Sequence, residues 1–404
     1  MSEFITENER RIPVAAETQV LVAGGGIAGV AAALSAARNG AKTMLIEREF
    51  ALGGMATLGL ITIYLPLCDG MGHQVVYGIG EELLKLSISL GAEADYPTAW
   101  LDGGSLEERG KERYRVRYNA QLFALLAERL LRDAGVEIVY GTVVCGVETQ
   151  DGRIKSVIVE NKSGRSAIKV KTVVDCSGDA DVCRLAGEET LVNPDGNGLA
   201  DWYYYYTEGR VELNMFGLAD VVPDESTVEA DAKTSSIGSV RFSGVDGFEL
   251  SRAIQSAHSC MLGDVMRRRE KSPDLVPVTM STIPLVRMSR RICGKYTMQQ
   301  SDDRRYMADS IGMTGDWCRR GPVYEIPFSA LVGERVRNLI TAGRIISTSK
   351  EVWNVTRVIP PSAVTGQAAG AAAALFEDFS AADIGLLQRT LAAQGVKLHT
   401  DEVL

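Results

Sequence analysis

Positive charge is in short supply in this chain of 404 residues. It has 43 Lys and Arg against 52 Asp and Glu, a formal net charge of −9. A nucleic-acid binder needs a basic face to displace counterions, so that class of partner is set aside. Paired cysteines are missing too. The seven cysteines are an odd number and no Cys-x-x-Cys occurs. That excludes a secreted disulfide framework, a structural zinc site, an iron–sulfur cluster and a redox disulfide. The thiols read instead as small buried hydrophobes in a reducing compartment, and no metal site is expected. The first residues, MSEFITENERRIPVAAE, carry charges where a signal peptide needs an apolar run. Val20 to Ala37 has the length of a membrane span, but Gly24, Gly25, Gly26 and Gly29 break its first half. A cytoplasmic protein with no membrane contact is the expectation. Apolar residues make up 46% and charged residues 24%, enough for a large core without staples.

The same glycines carry the main signal. Gln19 to Ala23 is a short apolar strand, and Gly24, Gly26 and Gly29 follow as Gly-x-Gly-x-x-Gly. Val30 to Arg38 reads as a helix of small residues that stops at Asn39-Gly40. A second strand, Lys42 to Ile46, ends at Glu47, 18 residues past Gly29. Each part has a mechanical reason. Gly24 allows a tight turn, Gly26 lets backbone approach a pyrophosphate, and Gly29 lets helix pack on strand. The pyrophosphate is placed at a helix N-terminus, where unpaired N–H groups and the dipole favour anions. Glu47 stands where an acid accepts both ribose hydroxyls. The motif does not by itself separate NAD from FAD.

Three further segments resemble the FAD-dependent oxidoreductases with the glutathione-reductase-type flavin fold, a two-dinucleotide-binding-domain frame. The first runs from Glu47 and Arg48 through Gly53, Gly54, Met55, Ala56 and Thr57. In that family the loop follows the FAD pyrophosphate and ribityl chain, and Thr57 offers a hydroxyl. The second, Lys171 to Val182, is similar to a family strand ending in Ala-Thr-Gly-Asp. Here it reads Cys176-Ser177-Gly178-Asp179. The third joins Ala342-Gly343-Arg344, Arg357-Val358-Ile359-Pro360-Pro361 and Gly366-Gln367-Ala368. It resembles the family's C-terminal flavin segment, whose closing helix aims N–H groups at the flavin and stabilises negative charge on it. Val143 and Val144 match the strand whose backbone meets the adenine. The resemblance therefore implies FAD, held by Gly24, Gly26, Ile27, Ala28, Gly29, Glu47 and these segments. Phe50-Ala51-Leu52 stands where some relatives carry Ser-His-Thr with a flavin-linked His, so the FAD is expected to be non-covalent. No second Gly-x-Gly-x-x-Gly with an acid exists, so no separate NAD(P)H domain is expected.

The expected fold is α/β: a discontinuous Rossmann-like FAD-binding domain (15–60, 118–190 and 335–404) with an inserted α+β substrate domain (61–117 and 191–334). Tyr118 to Ala134 has helical spacing at Leu122, Leu125, Leu126, Leu130 and Leu131. Val136 to Val147 and Ile154 to Val159 alternate like strands around Asp151-Gly152. Segments 102–113, 193–201 and 223–247 read as surface loops. Tyr203 to Tyr206 as a strand puts two tyrosines on each face, either buried in a sheet or lining a cavity.

Hydride transfer at flavin N5 needs a partner for the proton. His73 lies in a loop after the Gly-Gly segment and is one candidate. His258 reads as helical and structural, and His399 as exposed. Arg287 to Gly294 resembles the family's Arg-Glu-Ser-Arg-Arg-Ile-x-Gly, with Met288 in place of Glu. Arg290 and Arg291 point to opposite faces of a strand, and one is placed to meet a carboxylate, the flavin or a domain-interface partner. Lys350 stands where relatives often have His, either as a replacement acid/base or as a surface lysine. Arg357 is the cation expected closest to the flavin, Lys350 is expected beside it, and Trp353 is expected to wall the same pocket. The expected function is an FAD-dependent oxidoreductase passing hydride between N5 and a small organic substrate, with an inclination to alcohols or polyols. The alternative is a non-catalytic flavoprotein subunit for assembly or electron relay. Oligomeric state is left open.

Overall fold

The computed structural model describes residues 5–6, 9–94, 96–217, 237–238 and 240–404. The apolar run Val20–Ala23 is almost wholly buried at the centre of a seven-stranded sheet. The strand Val14–Ala23 pairs in parallel with Thr43–Ile46 on one side and Gly164–Asp175 on the other. Glu137–Val139 extends the parallel part beyond Thr43–Ile46. The long strand Gly164–Asp175 divides its second edge. Gly164–Lys169 pairs antiparallel with Arg153–Asn161, and Val173–Asp175 pairs in parallel with Leu339–Thr341. Val143–Gln150 closes the antiparallel side. The carboxyl ends Ala23, Ile46, Asp175 and Thr341 therefore lie along one edge, where open α/β sheets bind their ligands.

Two helices cover this sheet, and their sequences explain how closely they approach. Ile27–Arg38 and Ile359–Leu375 are rich in Ala and Gly, and both are buried over most of their length. A Cβ at Gly366 would collide with the Ala28 carbonyl oxygen, and one at Gly370 with that of Ala32. The Ser35 hydroxyl donates to the Gln367 carbonyl at 2.7 Å. The pairings 28 to 366 and 32 to 370 make the helices parallel, so both N-termini point to the same sheet edge. Small residues are required here because any larger side chain would push backbone from backbone.

The sequence expectations mostly hold, with local changes. The expected helix spans Ala120–Asp133, and the Asn119 side chain accepts the Leu122 N–H at its start. Its buried stripe is Phe123, Leu126, Ala127 and Leu131, while Leu125 is exposed. The single strand expected over 136–147 is two, Glu137–Val139 and Val143–Gln150. Gly141 at φ +58° turns the chain between them. Segment 102–113 is not all loop: Leu106–Lys111 is a helix, with a capping box between Ser105 and Glu108. Segment 193–201 is not a surface loop. Asn193 and Asn197 are buried, and Asn197 bonds the backbone of Arg287 and Met288. Most of segment 223–247 lies outside the described residues.

The insert is a three-stranded antiparallel sheet of Asp201–Thr207, Arg210–Phe216 and Val276–Met280, packed against the helix Gly247–Arg269. The tyrosines alternate as a strand must. Tyr203 and Tyr205 pack on Met261 and Val265 of that helix. Tyr204 packs with Trp202, Leu60 and Leu285 on the other face. Their hydroxyls bond Asp264, Glu212 and Glu93, which makes them buried sheet residues. His258 lies on the helix, 4.0 Å from Asp201. Residues of segment 61–117, among them Tyr64, Leu83 and Tyr114, share the core of Val30 and Leu34. No helix among the described residues is long and apolar enough to cross a membrane.

The helix contact yields a direct test. Gly370→Val places branched carbon against the Ala32 backbone and is expected to cost at least about 2 kcal/mol, the scale of an overpacked core. Urea unfolding reads this as a lower midpoint, and an unchanged midpoint would show that the helices can part freely.

Candidate active site

At the carboxyl edge of the sheet lies a cavity of about 220 Å³. Its floor is the turn Ala23–Ala28 and the ends Ile46, Cys176 and Ala342. One side is formed by Glu47, Arg48, Glu49 and Thr142–Val144, another by Gly53–Ala56. Ser177, Gly178, Gly343, Arg344, Arg357, Ile359 and Ser362 complete the inner wall, and Leu58, Ile283 and Pro284 reach in from outside the sheet.

Glycines shape the floor in two different ways. Gly24 has φ +104°, and a Cβ there would strike the Cys176 carbonyl; at Gly29 it would strike the Gly24 carbonyl. Those two exist for packing. Gly26 caps the helix Ile27–Arg38 at φ −65°, lines the cavity, and a Cβ added to it would meet nothing within 4 Å. Its missing side chain therefore leaves room for something other than protein. The Gly53–Gly54 doublet, both at positive φ, lies against this turn: Gly53 donates to the Gly25 carbonyl at 2.8 Å. The N-termini of both covering helices open here, at Gly26–Ile27 and at Ile359–Ser362. The unpaired N–H groups at the start of Ile27–Arg38, together with both helix dipoles, make the place favourable to an anion, while Pro360 and Pro361 give the closing helix no N–H at those positions.

Acidic groups mark the rest. Glu47 is 7% exposed. Its Oε2 accepts the Gly25 N–H at 2.6 Å and its Oε1 the Glu49 N–H at 2.9 Å. Each oxygen keeps a lone pair, so the carboxylate is held rigidly and can still accept two hydroxyls. Asp181 also lines the cavity. Burial, helped by Asp179 and Asp175, pushes its carboxyl up to about 6, against the opposing pull of Arg290 and Arg184. Burial likewise raises the Cys176 thiol far above its usual range, so it is no nucleophile. Arg344 is clamped: Nε donates to the Gly178 carbonyl at 2.5 Å, and the guanidinium pairs with Asp179 at 2.9 Å. Asp179 also accepts the Ser289 hydroxyl.

The expected cofactor residues separate into two groups. Gly24, Gly26, Ile27, Ala28, Glu47, Arg48, Gly53, Gly54, Met55, Ala56, Val143, Val144, Ser177, Gly178, Gly343 and Arg344 all line the one cavity. Six lie outside the lining. Gly29 and Gly366 are packing glycines, and Asp179 is the partner of Arg344. Thr57 gives its hydroxyl to the Leu52 carbonyl at 2.5 Å. Gln367 is buried and accepts the Ile79 N–H at 2.8 Å, and Ala368 is core. The closing helix begins at Ile359, two turns before Gly366, so Ile359 and Ser362 face the cavity instead. Pro360-Pro361 was the available signal, because proline suits a first helical turn. Asp181 falls within the expected segment Lys171 to Val182 without being singled out, and nothing local marked Ile283 or Pro284.

Of the expected reacting residues, only Arg357 lines the cavity. Its Nη2 and Nε donate to the Asn354 Oδ1 at 2.6 and 3.1 Å, and its guanidinium lies 5.9 Å from the Trp317 ring centre. Lys350 does not stand beside it. It begins the helix Lys350–Thr356, is about half exposed, and pairs with Asp195 at 2.5 Å. That geometry removes Lys350 from the cavity, because residue 350 stands two helical turns, about 10 Å along the axis, before residue 357. Trp353 is buried outside the lining and donates to the Arg344 carbonyl at 2.5 Å. His73 also lies outside the lining, bonded to the buried Asp69 at 2.9 Å. Arg290 and Arg291 do point apart. Arg290 is buried 3.6 Å from Asp181, a step behind the cavity wall, and Arg291 lies over Trp353. His399 is not exposed: it bonds the fully buried Glu325 at 2.9 Å.

A family model described as FAD dependent oxidoreductase matches residues 19–249 and 249–384. No curated protein matches the chain. Solved structures are similar only at a distance. The flavin-dependent brominase Bmp2 is 13% identical with a TM-score of 0.46, over 93% of this chain and 83% of its own. A geranylgeranyl bacteriochlorophyll reductase-like protein from Thermoplasma acidophilum is 14% identical with a TM-score of 0.40, over 94% and 83%. THI4 from Thermovibrio ammonificans is 19% identical with a TM-score of 0.31, over 44% of this chain and 65% of its own.

The two kinds of glycine predict opposite phenotypes. Gly26→Val is expected to fold within about 1 kcal/mol of the parent, the scale of an altered helix cap, while binding FAD at least about tenfold more weakly. Gly29→Val is expected to lose the fold. Unfolding midpoints and FAD occupancy after dilution check both, and a Gly26→Val protein that keeps its FAD would place the cofactor elsewhere.

Proposed function

Because the chain belongs to the FAD-dependent oxidoreductase family, whose cofactor is FAD, we propose that it passes hydride between flavin N5 and a small organic substrate. A small alcohol or polyol is the favoured substrate. The observation that carries the reading is Gly26: a backbone cradle with no side chain, open to a cavity where two helix N-termini converge. The residues present fit the cofactor. The Gly24–Gly26 backbone and the Ile27–Arg38 N-terminus suit the pyrophosphate, Glu47 the adenosine ribose, and Val143 and Val144 the adenine side. Gly53–Ala56, Gly343 and Arg344 suit the ribityl chain, and the Ile359–Leu375 N-terminus the ring. This assignment is the glutathione-reductase-type frame, with pieces 15–60, 118–190 and 335–404 holding FAD and 61–117 and 191–334 the substrate.

FAD when bound supplies the centre that accepts or gives hydride. The chain's own part is binding, orientation and charge. Arg357, held by Asn354, puts a fixed cation in the cavity wall, where reduced water content strengthens its field. Leu58, Ile283 and Pro284 shield the same cavity with apolar surface. Among the described residues the lining carries neither His nor Tyr, and burial raises the thiol of its Cys176, which supports non-covalent FAD.

Acid or heat denaturation of the yellow protein is expected to release free FAD, and flavin left on the precipitate would refute non-covalent binding. Glu47→Ala is expected to weaken FAD binding by about 1.5–3 kcal/mol, the worth of hydrogen bonds to a charged group. Full occupancy under dilution would show that the ribose is held by other groups. Arg357→Ala is expected to lower the flavin reduction potential or raise the substrate KM with the fold intact; unchanged potential and kinetics would remove the arginine from the mechanism. Anaerobic photoreduction, followed by reoxidation against a panel of acceptors and donors, tests the oxidoreductase reading as a whole. Flavin that couples to no small molecule would favour a relay or assembly subunit.

A further inference from the structure

A second cavity, of about 50 Å³, lies beyond Arg357. Three segments build it, the first contributing Gln300 from the short turn Gln300–Asp302. The hairpin of Ser310–Gly315 and Val323–Pro327 presents Asp316, Cys318 and Arg319 from its connection and Tyr324 from its second strand. The helix Lys350–Thr356 presents Glu351, Asn354 and Val355, which share one face at helical spacing. Three of the polar walls are more than nine-tenths buried: Asp316 is 5% exposed, Tyr324 4% and Asn354 7%. Burying that much polar surface is costly without a partner.

Asn354 joins this chamber to the FAD cavity. Its Oδ1 takes two bonds from Arg357, which lines the FAD cavity. That leaves its Nδ2 facing the chamber, 3.7 Å from the Cys318 sulfur. Trp317 locks the same helix by donating to the Asn354 carbonyl at 2.9 Å. Asn354 and Arg357 thus stand where the two spaces adjoin.

The chemistry of the walls selects the occupant. Around it Asp316, Glu351 and Asp303 stand against Arg319, Arg357 and Arg113, and the charges nearly cancel. Glu351 is at the mouth, with its carboxylate held by Ser349 at 2.8 Å. Neither a cation nor an anion is therefore favoured. Asp316 keeps one oxygen on the Cys318 N–H at 2.8 Å. Burial pushes its carboxyl up, against the backbone N–H groups of Cys318 and Arg319 and the nearby guanidiniums, and its lone pairs can still accept a hydroxyl. Arg319, Asn354 and the Tyr324 hydroxyl are donors. A hydroxyl group donates and accepts at once, and adjacent hydroxyls match a wall that alternates both. On this measure one water needs about 10–15 Å³, so the chamber takes a few heavy atoms of a ligand.

We propose that this chamber binds the hydroxyls of an uncharged, polyhydroxylated small molecule, one hydroxyl donating to Asp316 and accepting from Arg319. The proposal rests on the oxidoreductase reading only for the ligand's being the substrate. The binding site itself is tested separately.

The experiment is titration calorimetry of the FAD-loaded protein with xylitol, butylamine and malate, with flavin absorbance followed in parallel. Xylitol is expected to give saturable heat and a flavin band shift, and the two charged probes are expected to give neither. Asp316→Asn is expected to weaken xylitol at least about tenfold. Tyr324→Phe, which changes one hydroxyl and no packing, is expected to weaken it a few-fold and covers the case of an unstable Asp316 variant. No saturable heat with xylitol, tighter binding of butylamine or malate, or parental affinity in both variants would overturn the site. Saturable, variant-sensitive binding without anaerobic flavin reduction would uphold the site and overturn polyol oxidation.

Discussion

The backbone contact between Ile27–Arg38 and Ile359–Leu375 is the constraint on which the site depends. Gly366 and Gly370 bring carbonyl against Cα, so the two helices cannot slide or splay. Being parallel, they deliver both N-termini to the edge where the strand ends Ala23, Ile46, Asp175 and Thr341 meet. Two partial positive charges thereby face one space, separated in sequence by more than three hundred residues. Ala and Gly are poor residues for burying area, and their value here is proximity.

Around that fixed frame the polar groups are arranged in linked pairs. Glu47 is oriented by the very turn it serves, through the Gly25 N–H. Arg344 joins the strand end at Thr341 to the Gly178 loop, and through Asp179 to Ser289 of the intervening segment. Arg357 is held more locally, by Asn354 three residues before it. Arg344 is thus fixed from a distant part of the chain and Arg357 by its own helix. A pre-set charge needs no reorganisation when a substrate arrives.

The corrections have one physical origin. Lys350, Trp353 and Arg357 are near neighbours in sequence, and a linear reading puts them all beside the flavin. They share one face of the helix Lys350–Thr356 but sit at successive turns along its axis, so Lys350 meets Asp195 in solvent, Trp353 supports Arg344 from behind, and only Arg357, two turns on, reaches the cavity. Gly366 and Gln367 fail for a similar reason, because the helix starts two turns earlier and they fall in its packed interior. A loop position suggests a free His73 and nearness to the chain end an exposed His399, yet each is tied to a buried carboxylate from its surroundings.

The sequence by itself determined the strand, glycine turn, helix and acid from Gln19 to Glu47, because each needs only local geometry: a turn with φ beyond +100° at Gly24, no Cβ at Gly26, an acid at a strand end. It also determined the alternation of the tyrosine strand and the opposed Arg290 and Arg291, since a period of two requires no partner. Only the tertiary structure decided which charges share a space. Ile283 and Pro284 come to the cavity, and Asp316 and Asn354 to the chamber beside it, by the crossing of segments far apart in the chain. No local pattern encodes such a meeting, because it depends on how helices and sheets stack, and that is set by close packing over the whole core.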